Sequence, residues 1–333
     1  MSHLLKSRSR NSAFTLIELL VVIAIIGILA SLAAVGAMKV LERSKMVTAR
    51  IEIGQLEAAV SAAKLDLGNV DELPSVIIVY QDMGKFSGKT SITTESAFNK
   101  KLRESTFTTM QKVFGRNFGK NATTNDYFYP ISTTNSNPDI TNPVKINWLC
   151  QDGKVIQGMQ AYIFWLGGMY TNTGGKYSFT GFSTDKRDPC ELASLKRKGP
   201  YFDFDSSRVK NIGMMPGSTY LTYVNGWDGE YTYFSNSSYK LYADSFSTTT
   251  ADPDYAKKYS SELNNYSVKV KPYKNGNVFF NAKSFQIIGS GQNQMFGPGG
   301  SGWTPGSGLY AIDADGYDDL SNFSSTQLGK KDE

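Results

Sequence analysis

The chain has a single histidine in 333 residues, His3, in a basic leader whose removal would leave none. Serine triads, Cys–His dyads and the common zinc sites all need an imidazole as base or ligand, so the mature chain has no means to build them. Cysteine is nearly as scarce. Cys150 and Cys190 lie too far apart for a CxxC motif. They read either as a disulfide, worth about 4 kcal/mol in the chain-entropy model, or as two buried free thiols. Net charge is small as well: of the +5, Lys6, Arg8 and Arg10 supply three, leaving +2 for the remainder. That is too weak a field to argue for nucleic acid or an acidic substrate. The glycine-rich stretch 289–308 lacks a GK[ST] or a strand-to-helix frame, which excludes a phosphate-binding loop. No internal repeat is present.

What the chain does have is "AFTLIELLVVIAIIGILASLAAVGAMK", residues 13–39. No charged residue occurs from Leu19 to Met38, enough to cross a bilayer as a helix. Glu18 sits at the head of this run. A carboxylate in hydrocarbon costs about 2–4 kcal/mol or more, so it marks a functional site that needs a partner. Beyond Lys39 the apolar positions Ile53, Leu56, Val60, Ala63 and Leu67 recur at helical spacing between Glu52, Glu57, Lys64 and Asp66. Gly68-Asn69 and Pro74 end the helix. From Phe14 to Leu67 it would reach on the order of 80 Å. Gly27 reads as a place where the helix loosens or where a neighbouring helix packs closely.

The rest is rich in Gly, Ser, Thr, Asn, Tyr and Phe with short alternating runs, and reads as an antiparallel sheet. Thr219–Val224 and Glu230–Phe234, joined by "NGWDG", predict a hairpin. "MQAYIFWLGG" (159–168) fits a buried strand or a short helix. "ASLKRKGP" predicts a helix end that presents Lys196, Arg197 and Lys198 to solvent. Alternation places Asp203 and Asp205 together on an exposed strand edge, with no catalytic role.

A secretory signal peptide would share the basic start and the apolar run, but not Glu18 or a helix that continues thirty residues further. The stretch "FTLIELLVVIAIIGILA" after a short basic leader resembles the class III signal of type IV pilins and type II secretion pseudopilins. The resemblance implies that a prepilin peptidase cuts between Ala13 and Phe14 and N-methylates Phe14. Ala13 stands where the family usually has glycine. Glu18 matches the family's assembly glutamate, which meets the Phe14 ammonium of a neighbouring subunit. Four residues apart on a helix, the two also share one face within a single chain.

Near the other end, "KSFQIIGSGQNQMFGPGGSGWTP" followed by "DADGYDDLSNFSS" resembles the C-terminal calcium-binding loop of the major pseudopilin. Asp313, Asp315, Asp318 and Asp319 place four hard oxygen donors around Gly316, and Ca²⁺ accepts six to eight oxygens. The resemblance adds Asp319 and Ser321 as ligand-bearing positions and Asn293 where the family carries an aspartate. The other reading is a solvated acidic turn. "FWLGG", "GFST" and "GPYFDFD" also look like pseudopilin-like proteins with enlarged heads.

The expected fold is α+β and pilin-like, a long N-terminal helix packed on an antiparallel head. Its parts are a cleaved leader (1–13), a transmembrane helix (14–38), an amphipathic stem (39–68) and a periplasmic head (69–333) with an Asp-rich loop (289–323). The expected function is structural rather than enzymatic. The subunit polymerises with itself into a periplasmic pseudopilus of a type II secretion system. Its partners are the prepilin peptidase, the inner-membrane assembly platform and minor pseudopilins. The alternative is a type IV pilus subunit or surface adhesin. DNA capture is disfavoured by the near-neutral mature charge, and a membrane-tethered enzyme by the lack of a catalytic motif.

Overall fold

The computed structural model describes residues 15–80, 82–93, 95–120, 153–211, 221–239, 271–297, 299–300 and 314–329. The layout is α+β and pilin-like, one long N-terminal helix followed by small antiparallel sheets in a head. Helix α1 runs Leu16–Asp66. The chain divides into two compact units within that helix, Met1–Val47 and Thr48–Glu333.

In the first unit every residue from 15 to 45 is exposed, including Leu20, Ile23, Ile26, Leu29 and Leu32. A helix apolar and exposed on all sides suits lipid or other helices rather than water. It is long and apolar enough to cross a membrane. Ser31 returns its hydroxyl to the Ile28 carbonyl at 2.7 Å, so its polar group is satisfied within the helix. Among the described residues nothing lies within 4 Å of where a Cβ on Gly27 or Gly36 would stand.

In the second unit the expected stripe is buried: Ile53, Leu56, Val60, Ala63 and Leu67 are each at most 3% exposed. The helix stops where the sequence says it should, with Gly68 at φ +104° and Asn69 at φ +52°. Strand β1 (Val76–Val79) pairs antiparallel with β2 (Lys154–Gln157). Between them lie α2 (Met83–Ser87), capped by Asp82, and α3 (Ala97–Phe114), capped by Ser96. The stretch 159–168, open to two readings by periodicity, is helix α4 (Met159–Gly167) with all nine residues buried. Tyr162 of α4 donates to the Leu56 carbonyl at 2.6 Å and Trp165 to that of Pro74 at 2.9 Å, fastening α4 to the stem and to the turn after it.

Strands β3 (Met169–Thr173), β4 (Lys176–Ser183) and β5 (Arg197–Lys198) form one sheet. The helix end expected around Lys196–Lys198 is therefore an edge strand. Arg197 is half-buried and engaged: it donates to the carbonyls of Thr180 at 2.7 Å and Gly181 at 2.9 Å, while Lys198 pairs with Asp66. A Cβ on Gly168 would stand 2.4 Å from the Gly181 carbonyl carbon and one on Gly181 2.0 Å from the Lys198 carbonyl oxygen, approaches that only glycine permits.

Strand β6 (Val209–Asn211) pairs with β7 (Leu221–Tyr223), and β8 (Tyr231–Ser235) lies in a sheet with β11 (Phe285–Gly289) and β12 (Leu320–Ser321). Short β9 (Lys274–Asn275) and β10 (Val278–Phe279) pair with each other. The predicted hairpin thus keeps its turn but not its ladder. Val224 and Glu230 form one bridge, and then β7 and β8 diverge into different sheets. Asn225 explains the turn: its side-chain oxygen accepts from the N–H groups of Trp227 (2.8 Å) and Gly229 (3.1 Å), and its amide reaches across to Ser290. Asp203 and Asp205 lie in an exposed loop, not a strand.

Candidate functional site

Glu18 lies in the first turn of α1. Its Oε2 accepts from the Thr15 N–H at 2.8 Å and the Thr15 hydroxyl at 2.9 Å, while its own N–H donates to Thr15 Oγ1 at 3.3 Å. This is a reciprocal capping box, written in the sequence as T-L-I-E. The Thr15–Glu18 spacing is a signal that the sequence itself carries. Neutral donors satisfy the lone pairs of the carboxylate without cancelling its charge, so the cost of holding Glu18 in hydrocarbon is reduced, not removed. Ala13 and Phe14 fall outside the described residues.

The second cluster is at the far end of the chain. Asp319 is wholly buried; its Oδ2 accepts from the Gly297 N–H at 2.9 Å and its Oδ1 has no hydrogen-bond partner. Burial pushes its carboxyl up to about 8, with Asp318 and Asp315 adding to the rise and the Gly297 and Gly291 N–H groups opposing it. Asp318 Oδ2 accepts from the Asn293 N–H at 3.0 Å, and its buried Oδ1 likewise has no hydrogen-bond partner among the described residues. Glycine makes the approach possible: a Cβ on Gly291 would meet Asp318 Cγ at 2.3 Å, and one on Gly316, at φ +83°, the Gly297 Cα at 2.4 Å. The Asn293 side chain is used by the turn, where its Oδ1 accepts from the Met295 N–H at 2.8 Å. Asp315 is exposed, and Ser321 Oγ accepts from the Phe323 N–H at 3.4 Å. Asp313 lies outside the described residues, among which no group of three carboxylate, histidine or cysteine side chains is close enough to hold a metal. The chemistry nevertheless fits a hard cation: buried Asp319 and half-buried Asp318 each carry a buried Oδ1 with no hydrogen-bond partner among the described residues.

A third cluster concerns Glu52, expected on the wet face of the stem but only 7% exposed. Arg208 grips it with two nitrogens, at 2.7 and 2.6 Å. Tyr223 donates to Oε1 at 2.9 Å and Tyr231 to Oε2. Helical periodicity has no means of finding this, because the partners come from the turn before β6 and from β7 and β8, more than 150 positions away. Cys190 is half-buried, and burial pushes its thiol well up; Cys150, and the pairing with it, lie outside the described residues.

Residues 8–34 match the model of the prokaryotic N-terminal methylation motif. The match supports a type IV pilin-like protein. The motif implies processing by a prepilin peptidase and self-polymerisation in a membrane assembly system, which suggests a structural subunit. With the apolar helix behind it, the motif fits a subunit anchored in the inner membrane. No curated protein and no solved structure matches the chain.

Proposed function

We propose that the chain is a pseudopilin of a type II secretion system, cut between Ala13 and Phe14, methylated at Phe14 and polymerised into a periplasmic fibre whose heads are completed by Ca²⁺. The observation that favours secretion over a type IV pilus is the pair Asp318 and Asp319, whose buried oxygens lack partners. A divalent cation supplies the positive charge and the ligand count that such a pair lacks. Asp318 and Asp319 would hold it, joined by Asp313, Asp315 or Ser321 where the loop brings them in. In the fibre, Glu18 keeps its Thr15 hydrogen bonds and receives from the neighbouring Phe14 ammonium the charge that Thr15 lacks.

Thermal unfolding of the detergent-solubilised chain, dialysed free of metal and titrated with Ca²⁺, tests this reading. A rise in melting temperature abolished by Asp319→Ala supports it, because a ligand that binds only the folded state stabilises by mass action. Equal melting with and without Ca²⁺ turns the assignment to a type IV pilus subunit or adhesin. Glu18→Ala separately tests polymerisation: the variant is expected in the membrane fraction but without fibres, and wild-type assembly would overturn the role of Glu18.

A further inference from the structure

Two adjoining open depressions mark the head beside the stem, with volumes of about 550 and 530 Å³ and with Phe202 and Asp203 in both linings. Phe202 and Phe179 are half-exposed and held rigid, Phe202 edge-on to Phe204 at 4.8 Å and to Tyr223 at 5.8 Å, Phe179 against Phe204 at 5.0 Å. Two exposed carboxylates accompany them. Asp205 Oδ1 is fixed by the Ser207 N–H at 2.9 Å and the Ser207 hydroxyl at 2.8 Å, which hold its carboxyl below the usual range. Asp203 has no partner among the described residues. Lys176 is the only cation in either lining, and the third carboxylate, Glu52, is already saturated by Arg208 and the tyrosines. Aromatic rings beside carboxylates recognise ammonium and guanidinium groups, through the ring face and through charge-assisted hydrogen bonds.

The chain carries a matching segment. Lys39, Arg43 and Lys45 are exposed on the turns of α1 that follow the uncharged run, with Glu42 the one acid among them. Cations close to a span favour the cytoplasmic side, and here three precede it, Lys6, Arg8 and Arg10, against four that follow, Lys39, Arg43, Lys45 and Arg50. The cations after the span therefore do not favour placing the head away from the cytoplasm.

We propose that the groove formed by Phe179, Phe202, Asp203 and Asp205 receives the cationic stem segment Lys39–Lys45 of a second copy of this chain. The inference rests on the polymer reading above and adds to it a head-to-stem contact that sets register between subunits. Each copy carries both halves of the contact, so it is heterologous and propagates along a fibre rather than closing a dimer.

The test uses the full-length chain, expressed with a prepilin peptidase and an assembly platform, with sheared fibres quantified against membrane-bound subunit. Asp203→Lys with Asp205→Lys, and separately Arg43→Glu with Lys45→Glu, are each expected to cut fibre yield roughly ten-fold, and all four together to restore most of it, because complementarity rather than either charge is required. Zero-length carbodiimide coupling of wild-type fibres, made from mixed heavy and light subunits, is expected to join Asp203 or Asp205 of one copy to Lys39 or Lys45 of another. Unchanged yield in both reversed pairs, no recovery in the fourfold variant, or coupling of those lysines only to other carboxylates overturns the inference. Loss of the Arg43/Lys45 variant from the membrane fraction also overturns it, assigning the stem cations to lipid headgroups. A wild-type chain that forms no fibre refutes the polymer reading itself, an outcome distinct from intact fibres indifferent to charge reversal.

Discussion

Glu52 and Asp319 are both carboxylates almost withdrawn from water, one on the stem and one in the C-terminal loop, and the protein treats them in opposite ways. Glu52 accepts from two arginine nitrogens and two tyrosine hydroxyls. Asp319 has only backbone N–H groups to oppose its burial, with Gly297 on Oδ2, and its Oδ1 has no hydrogen-bond partner among the described residues. The difference teaches where the chain is complete and where it is not. A buried charge persists only if something pairs with it, and for Glu52 that something is encoded in the sequence.

The largest effect should come from breaking the complete site. Glu52→Ala strands Arg208 together with two buried tyrosine hydroxyls and is expected to destabilise the head by about 3 kcal/mol, the scale of removing one partner from a buried pair. Urea unfolding of the solubilised chain checks this, and a loss no greater than that of a surface substitution would show that Glu52 does not fasten stem to head.

Asp319 should answer to pH. Its folded-state value of about 8 lies far above that of an unfolded aspartate, so the folded chain holds a proton that the unfolded chain releases. The contribution of Asp319 to the stability of the metal-free chain is therefore fully present below pH 4 and lost as pH rises toward 8. Glu230, pushed up to about 7 by burial, contributes a fall in the same window. Asp319→Asn separates the two: it is expected to flatten the upper part of the decline, and added Ca²⁺ should do the same for the wild-type chain. A decline unaltered by either would assign it all to Glu230.

Tyr231→Phe sharpens the contrast on the satisfied side. It removes one of four donors while Glu52 Oε2 keeps its 2.6 Å bond to Arg208, so the expected loss is about 1 kcal/mol. A loss as large as that of Glu52→Ala would mean that the cluster acts as a single unit.

How much was legible follows from the range of each interaction. The stem stripe, the helix stop at Gly68-Asn69 and the Asn225 turn are local, and the sequence writes them in spacings of three, four and two residues. Glu52 was misread because helical periodicity assigns a charged residue to the wet face, and only the chain returning at Arg208, Tyr223 and Tyr231 reverses that. The predicted hairpin failed for a related reason: its turn chemistry is local, but β7 and β8 find their partners in β6 and β11. Asp318 and Asp319 were legible as an acidic cluster, and their burial was not, since it depends on Gly291 and Gly297 closing over them from some twenty residues away.

The smallest effect comes from a pair that resembles the Glu52 site in distance alone. Lys210 and Asp228 approach to 2.6 Å, as Arg208 and Glu52 do, but their side chains are 46% and 70% exposed against 24% and 9%. In water each of those charges is solvated without the other, and holding two long side chains together costs rotamer freedom. Lys210→Ala is therefore expected to change unfolding free energy by less than about 0.5 kcal/mol, and less still at high salt. Were it to cost as much as Glu52→Ala, ion-pair distance rather than burial would govern these contacts, and the significance attached to the unpaired oxygens of Asp318 and Asp319 would fall with it.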